Sequence, residues 1–255
     1  MPFDLITIPC LTDNYAYLLH DRQTGQTACI DVPEAGPVKQ ALTDHGWTLS
    51  QVWLTHHHAD HVDGLADLLS DHHASVVGAA ADAHRLPELN VSVKEGDTVK
   101  LGALEAQVLD VSGHTVGHIA FHVPDAKVVF TADSLMALGC GRLFEGTAAQ
   151  MWDSMQKLMA MPGDTTVCSG HEYTAANAKF ALSIDPGNSA LISRANAVEL
   201  ARAKGEPTVP SKLSTELETN PFLRPGDPAI RATLGMPNAS DSDVFKEIRK
   251  RKDNF

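Results

Sequence analysis

The chain has 255 residues, 43% hydrophobic and 20% charged, enough for one large α/β domain or a medium domain with a small appendage. A formal net charge of −12 argues against non-specific binding to nucleic acid, because neutralising phosphates requires a basic surface. No apolar run approaches the ~18 residues of a membrane span, and Met1-Pro2-Phe3-Asp4 lacks the basic start and apolar core of a signal peptide, so a cytoplasmic protein is expected. Cys10, Cys29, Cys140 and Cys168 form no C-x-x-C pair and read as small buried or semi-buried thiols.

Short apolar runs open the chain. Phe3–Ile8, Tyr15–Leu19 and Ala28–Ile30 read as strands separated by turn residues. Pro37 to His45 carries Val38, Ala41 and Leu42 on one helical face and stops near Gly46. Val52-Trp53-Leu54 then ends a buried strand, and Val62, Leu65, Ala66, Leu68 and Leu69 predict one helix packed on it. Ser75–Gly78 is a further strand, Thr98 to Val111 gives two around Gly102, and Ile119, Phe121 and Val123 mark one apolar face of another. Lys127–Thr131 follows, then a helix from about Ala148 to Met159 and a strand over Thr165–Cys168. Beyond His171 strand-like runs vanish. Ala175 to Leu182 and Ser189 to Ala203 are helical in composition, Pro207, Pro210, Pro221 and Pro225 punctuate the rest, and Ser240 caps a last helix carrying Val244, Phe245 and Ile248. The expected organisation is a mixed α/β domain over residues 1–170 and a small helical domain over 171–255.

The chemistry concentrates at Leu54-Thr55-His56-His57-His58-Ala59-Asp60-His61, a strand-to-helix turn where side chains can converge. His56, His58, Asp60 and His61 are borderline donors suited to Zn, Fe or Mn. His114, Asp133 and His171 each lie just past a predicted strand, so several strands present ligand-type residues at what could be one sheet edge. One metal takes about four protein ligands or fewer, so this set is too large for one ion and natural for two, with one carboxylate bridging. A closed structural zinc site would be cysteine-rich, so the donor set favours a hydrolase.

The order T-H-x-H-x-D-H, G-H-T-x-G-H, an Asp after a strand and G-H-E-Y-T resembles the metallo-β-lactamase superfamily. Thr12-Asp13-Asn14-Tyr15, Gly139-Cys140-Gly141-Arg142 with Glu145-Gly146, and the helical C-terminal third narrow the resemblance to the glyoxalase II (hydroxyacylglutathione hydrolase) family. That resemblance implies an α/β fold, an αββα sandwich with an appended helical domain. It implies that His56, His58 and His114 bind a first metal, that Asp60, His61 and His171 bind a second, and that Asp133 bridges them. Zinc is the metal expected, with iron and manganese as alternatives.

It further implies hydrolysis of S-D-lactoylglutathione to D-lactate and glutathione, the thioester step of methylglyoxal detoxification, by attack of a metal-bridging hydroxide, with Asp60 and Asp133 as catalytic residues. Arg249 and Lys252, within a basic cluster of an acidic chain, resemble the residues that hold the glycine carboxylate of glutathione. Arg142 and Tyr173 match positions that contact the tripeptide. Phe144 departs from members that carry a tyrosine hydroxyl there, a loss of about 1 kcal/mol in binding. No nucleic-acid or membrane partner is expected, and the protein is expected to be a monomer. Competing readings are another dinuclear hydrolase such as a lactonase or phosphodiesterase, a non-catalytic metal-binding protein, and a redox enzyme if iron fills the site.

Overall fold

The computed structural model describes residues 2–255. Two compact units emerge, Met1–Asp110 with Gly117–Ala132, and Val111–Val116 with Asp133–Phe255.

The first unit contains β1 (Phe3–Cys10), β2 (Asn14–Asp21), β3 (Gln26–Ile30), α1 (Ala35–His45), β4 (Thr48–Trp53), α2 (Ala59–Val62), α3 (Leu65–Asp71), β5 (Ser75–Ala79), β6 (Val91–Val93), β7 (Thr98–Leu101), β8 (Leu104–Asp110), β9 (Ile119–Val123) and β10 (Val128–Ala132). β1 to β6 form one sheet in sequence order, antiparallel from β1 to β3 and parallel from β3 to β6. β7 to β10 form an antiparallel run. β8 alternates buried Leu104, Ala106 and Val108 with polar residues, as a strand with one dry face should. β2 is buried throughout, so it lies covered on both sides. The dry faces meet through Tyr17 and Phe130, ring centroids 5.7 Å apart, and through Trp53 and Phe121 at 5.1 Å. Burying each such aromatic pair also contributes about 0.5–1.5 kcal/mol beyond its area.

The helix predicted after the histidine motif is broken. α2 ends at Val62 and α3 begins at Leu65, because Gly64 sits against the start of α1. Its amide donates to the Val32 carbonyl at 2.9 Å, and a Cβ there would lie 2.8 Å from the Ala35 nitrogen. The consequence is a short turn that keeps Asp60 and His61 near the ends of the parallel strands rather than carrying them along a straight helix.

The second unit contains β11 (Leu135–Met136), β12 (Gly139–Cys140), α4 (Ala148–Met159), β13 (Thr166–Ser169), α5 (Thr174–Ile184), α6 (Ser189–Ala203), β14 (Ser211–Lys212), α7 (Leu213–Thr219), α8 (Pro228–Leu234) and α9 (Asp241–Asp253). A capping box starts α4, with Thr147 accepting from the Gln150 amide and the Gln150 side chain answering the Thr147 amide. α9 buries Val244, Phe245 and Ile248, with Phe245 5.7 Å from both Trp152 and Phe222.

The β11–β12 hairpin is gripped from the helices. Asn177 donates to the Ala137 carbonyl at 3.0 Å, and Asn220 donates to the Met136 and Gly139 carbonyls at 3.1 and 3.0 Å. The carboxylate of fully buried Glu216 accepts the Leu138 amide at 2.9 Å and pairs with Arg194. A turn whose backbone groups would otherwise be stranded is thus satisfied, and its geometry fixed. Asn177 thus serves the hairpin turn. Among the described residues, no helix is long and apolar enough to cross a membrane, and all four cysteines are buried free thiols.

Candidate metal and substrate site

The parallel strands β3 and β4 end side by side, with Ile30 opposite Trp53, and the next residues of each carry the chemistry. This is the carboxyl edge where open α/β sheets place their sites. Asp31 follows β3 with φ +55, a left-handed conformation that a non-glycine residue adopts only when its surroundings impose it. Its carboxylate accepts the Thr55 amide, the Thr55 hydroxyl and His61 Nδ1, each at 2.8 Å. A carboxylate only accepts, so Nδ1 of His61 carries the proton and Nε2 keeps its lone pair. The Thr55 hydroxyl gives its proton to Asp31 and therefore accepts from His56 Nδ1 at 3.0 Å. One buried carboxylate fixes the tautomer of two imidazoles.

His56 and His61 are both fully buried, and their ring centroids lie 4.2 Å apart. His56 Nε2 faces His58 Nδ1 at 3.1 Å. Two donors on one tetrahedral ion at ~2.05 Å would stand ~3.3 Å apart, so this pair fits a shared metal. Asp60 is half-exposed; Asn14 donates to its carbonyl at 2.9 Å and to its carboxylate at 3.1 Å, aiming a group 4.0 Å from His61 Nε2. His57 points elsewhere, pairing with Asp82 at 3.1 Å. His118 donates from Nδ1 to the Ile119 carbonyl and stacks on His56 at 4.5 Å and 12°, holding that ring in place.

In the second unit, Asp133 Oδ2 lies 3.4 Å from His114 Nε2 and 3.4 Å from His171 Nε2. All three residues are buried. His114 donates from Nδ1 to the Arg142 carbonyl at 2.7 Å, so its Nε2 is again the open donor. A Cβ on Gly141 would overlap the Asp133 carbonyl oxygen, so only glycine lets the segment after the hairpin return this closely. Nitrogen and carboxylate donors with fixed tautomers and no thiolate suit a catalytic metal better than a closed structural one.

The predicted substrate residues spread around α9 and the hairpin. Arg142 and Tyr173 are exposed, with Tyr173 stacked on His171 at 4.6 Å and 7°. Phe144 is 61% exposed, with the Arg142 guanidinium 6.0 Å from its ring centre. Lys252 sits 5.2 Å above Phe180 and 5.7 Å above Phe255. Burial, followed by repulsion from Arg249, lowers its pKa. Arg249 is only 5% exposed and packs over Phe222.

Sequence reasoning passed over Asp31 and gave Asn14 no part beyond the T-D-N-Y resemblance; a lone carboxylate just past a buried strand end was the available signal for Asp31.

Residues 31–171 match the metallo-β-lactamase superfamily model, and residues 172–255 match the model of the hydroxyacylglutathione hydrolase C-terminus. The chain is 65% identical to a hydroxyacylglutathione hydrolase of Roseobacter denitrificans and 63% identical to one of Ruegeria pomeroyi, each alignment covering 100% of both chains. Among solved structures it is similar to ETHE1 from Myxococcus xanthus, with a TM-score of 0.67 and 27% identity over 98% of this chain and 90% of that one. The α/β core is therefore a metallo-β-lactamase fold followed by a helical C-terminal region, and the chain belongs to the hydroxyacylglutathione hydrolase family of thioester hydrolases.

Proposed function

We propose that this chain hydrolyses S-D-lactoylglutathione to D-lactate and glutathione, as the thioester step of cytoplasmic methylglyoxal detoxification. The observation that carries the reading is the paired donor geometry. His56, His58, Asp60 and His61 gather at one strand edge, while His114 and His171 flank the Asp133 carboxylate, all in a chain of the hydroxyacylglutathione hydrolase family. We assign His56, His58 and His114 to one divalent metal, Asp60, His61 and His171 to a second, and Asp133 to both. Zinc is the proposed metal, with iron or manganese able to occupy the same donors. A metal pair held there supplies an acidified water and a Lewis acid for the thioester carbonyl.

The chain's own groups do the rest. Asp60, steadied by Asn14, orients the attacking water, and Asp133 offers its carboxylate between His114 and His171. The leaving group is a thiolate whose thiol has a pKa near ~8.5, so no strong general acid is needed. Tyr173, Arg249 and Lys252, within a C-terminal domain of residues 171–255 that serves substrate binding, and Arg142, which precedes that domain, are the proposed contacts of the tripeptide. Local positive charge in an otherwise acidic protein suits a ligand carrying carboxylates. The protein is proposed to act as a monomer on small-molecule ligands. Turnover of S-D-lactoylglutathione against a panel of lactones and phosphodiesters tests the reading. Preference for the thioester by orders of magnitude in kcat/KM is expected. Preference for a lactone or phosphodiester would transfer the chain to another dinuclear hydrolase activity.

A further inference from the structure

Two cations assigned to the substrate converge on one residue that has no assigned role. Arg249 donates to Asp253 Oδ1 through Nε at 3.1 Å and Nη2 at 2.7 Å, and through Nη1 to the Cys140 carbonyl at 2.9 Å. The same Asp253 oxygen lies 3.7 Å from Nε of Arg142. Burial differs steeply along this line. The side chain of Arg249 is 6% exposed, that of Asp253 36% and that of Arg142 61%. Arg249 is therefore held fast by a carboxylate and a carbonyl, whereas Arg142 is an exposed arm that lies beside Asp253.

From this we infer that Asp253 is a positioning residue for substrate binding: it locks the Arg249 fork and draws Arg142 toward it, so that a carboxylate-bearing ligand meets two oriented guanidinium groups. The inference rests on the glutathione-thioester reading and adds a residue to it. An arginine that is pre-organised loses less entropy when it engages a carboxylate. Lys252, next in the chain, adds a third cation and leaves positive charge in surplus over the one aspartate. Asp253 thus acts through its neighbours and does not touch the reacting atoms.

Two variants separate geometry from charge. Both Arg249 bonds go to one oxygen, so Asp253→Asn keeps an acceptor there while Asp253→Ala removes it. With S-D-lactoylglutathione, Asp253→Ala should raise KM roughly tenfold, the scale of one charge-assisted bond, while kcat falls less than about threefold. Asp253→Asn should restore most of the loss. With the same thioester amidated at the glycine carboxyl, neither variant should change KM. Equal effects on both substrates would mean a merely structural role and overturn the inference. A lowered KM in Asp253→Asn would also overturn it, because Asp253 would then be a competitor for the cations. Absence of turnover by the unaltered protein would instead remove the thioester reading itself.

Discussion

Asp31→Asn is the sharpest test of how the proposed metal ligands are oriented. The carboxylate accepts three hydrogen bonds at 2.8 Å, from the Thr55 amide, the Thr55 hydroxyl and His61 Nδ1. An asparagine has the same shape but only one acceptor oxygen. If its oxygen faces the Thr55 amide, its NH2 faces the Nδ1–H of His61. If it is flipped, NH2 faces the Thr55 amide. Either orientation sets donor against donor at a position 2% exposed. Relief requires His61 to move its proton to Nε2, the nitrogen proposed to bind metal. Bonds to a charged acceptor are worth about 1.5–3 kcal/mol each, and one of three is lost while the others lose their charge assistance, so the metal-free protein should lose about 3 kcal/mol. Metal affinity should fall by about 10–100-fold, as when a carboxylate partner of a ligating histidine is removed. Urea unfolding of metal-free protein reads the first quantity, and competition against a chromophoric chelator reads the second. An unchanged urea midpoint together with unchanged metal affinity would refute the orienting role.

Three further outcomes are expected. Burial and the neighbouring Arg249 lower the pKa of Lys252, so its charge is lost as pH rises through a value below the ordinary lysine range. KM for the glutathione thioester should therefore begin to climb at a lower pH than an ordinary lysine would dictate, and Lys252→Arg should remove that climb; a flat KM in the parent protein contradicts it. Burial pushes the Cys140 thiol up to about 11 and that of Cys10 to about 11, and raises those of Cys29 and Cys168 as well. At neutral pH the folded protein should therefore react with a thiol reagent only as fast as it unfolds, and rapid labelling of one thiol per chain would count against this burial. Phe144→Tyr restores a hydroxyl beside Arg142 at an exposed ring, and KM should fall by up to about fivefold, the equivalent of ~1 kcal/mol; no change would leave the aromatic face, not the hydroxyl, as the relevant surface.

Much of this architecture is local enough to be read from residue order. The strand-to-helix turn of His56 to His61, both strands around Gly102, the helix from Ser189 to Ala203 and the cap at Ser240 all stand where the pattern puts them. What escapes reading depends on neighbours distant in sequence. The break between α2 and α3 follows from Gly64 meeting the first turn of α1, which no periodicity over Val62 to Leu69 can reveal. Asp31 comes to orient His61 and Thr55 only because β3 and β4 run parallel, bringing Thr55 beside it. In the C-terminal third, prolines read as punctuation. Pro228, outside that reading, opens α8 directly after the Asp227 cap, where a missing amide hydrogen costs nothing.

The burial of Arg249 was within reach, since it lies four residues after Phe245 and one after Ile248 on the apolar side of α9. Its bond to the Cys140 carbonyl was not, because that group comes from a hairpin more than a hundred residues earlier. The candidate ligands were plain in the motifs. Their tautomers depended on Thr55, Asp31 and the Arg142 carbonyl, and those are facts of packing.

On the proposed reading, thioester hydrolysis depends on two metal ions held by His56, His58, Asp60, His61, His114, Asp133 and His171. The most direct measurement strips the protein of metal, restores zinc in steps, and determines bound metal and S-D-lactoylglutathione turnover on each sample. Turnover that rises to its full value only as about two ions per chain are bound, and that is abolished again by chelation, is the predicted result. Full turnover with one ion or none, or two bound ions without turnover of the thioester, would contradict it.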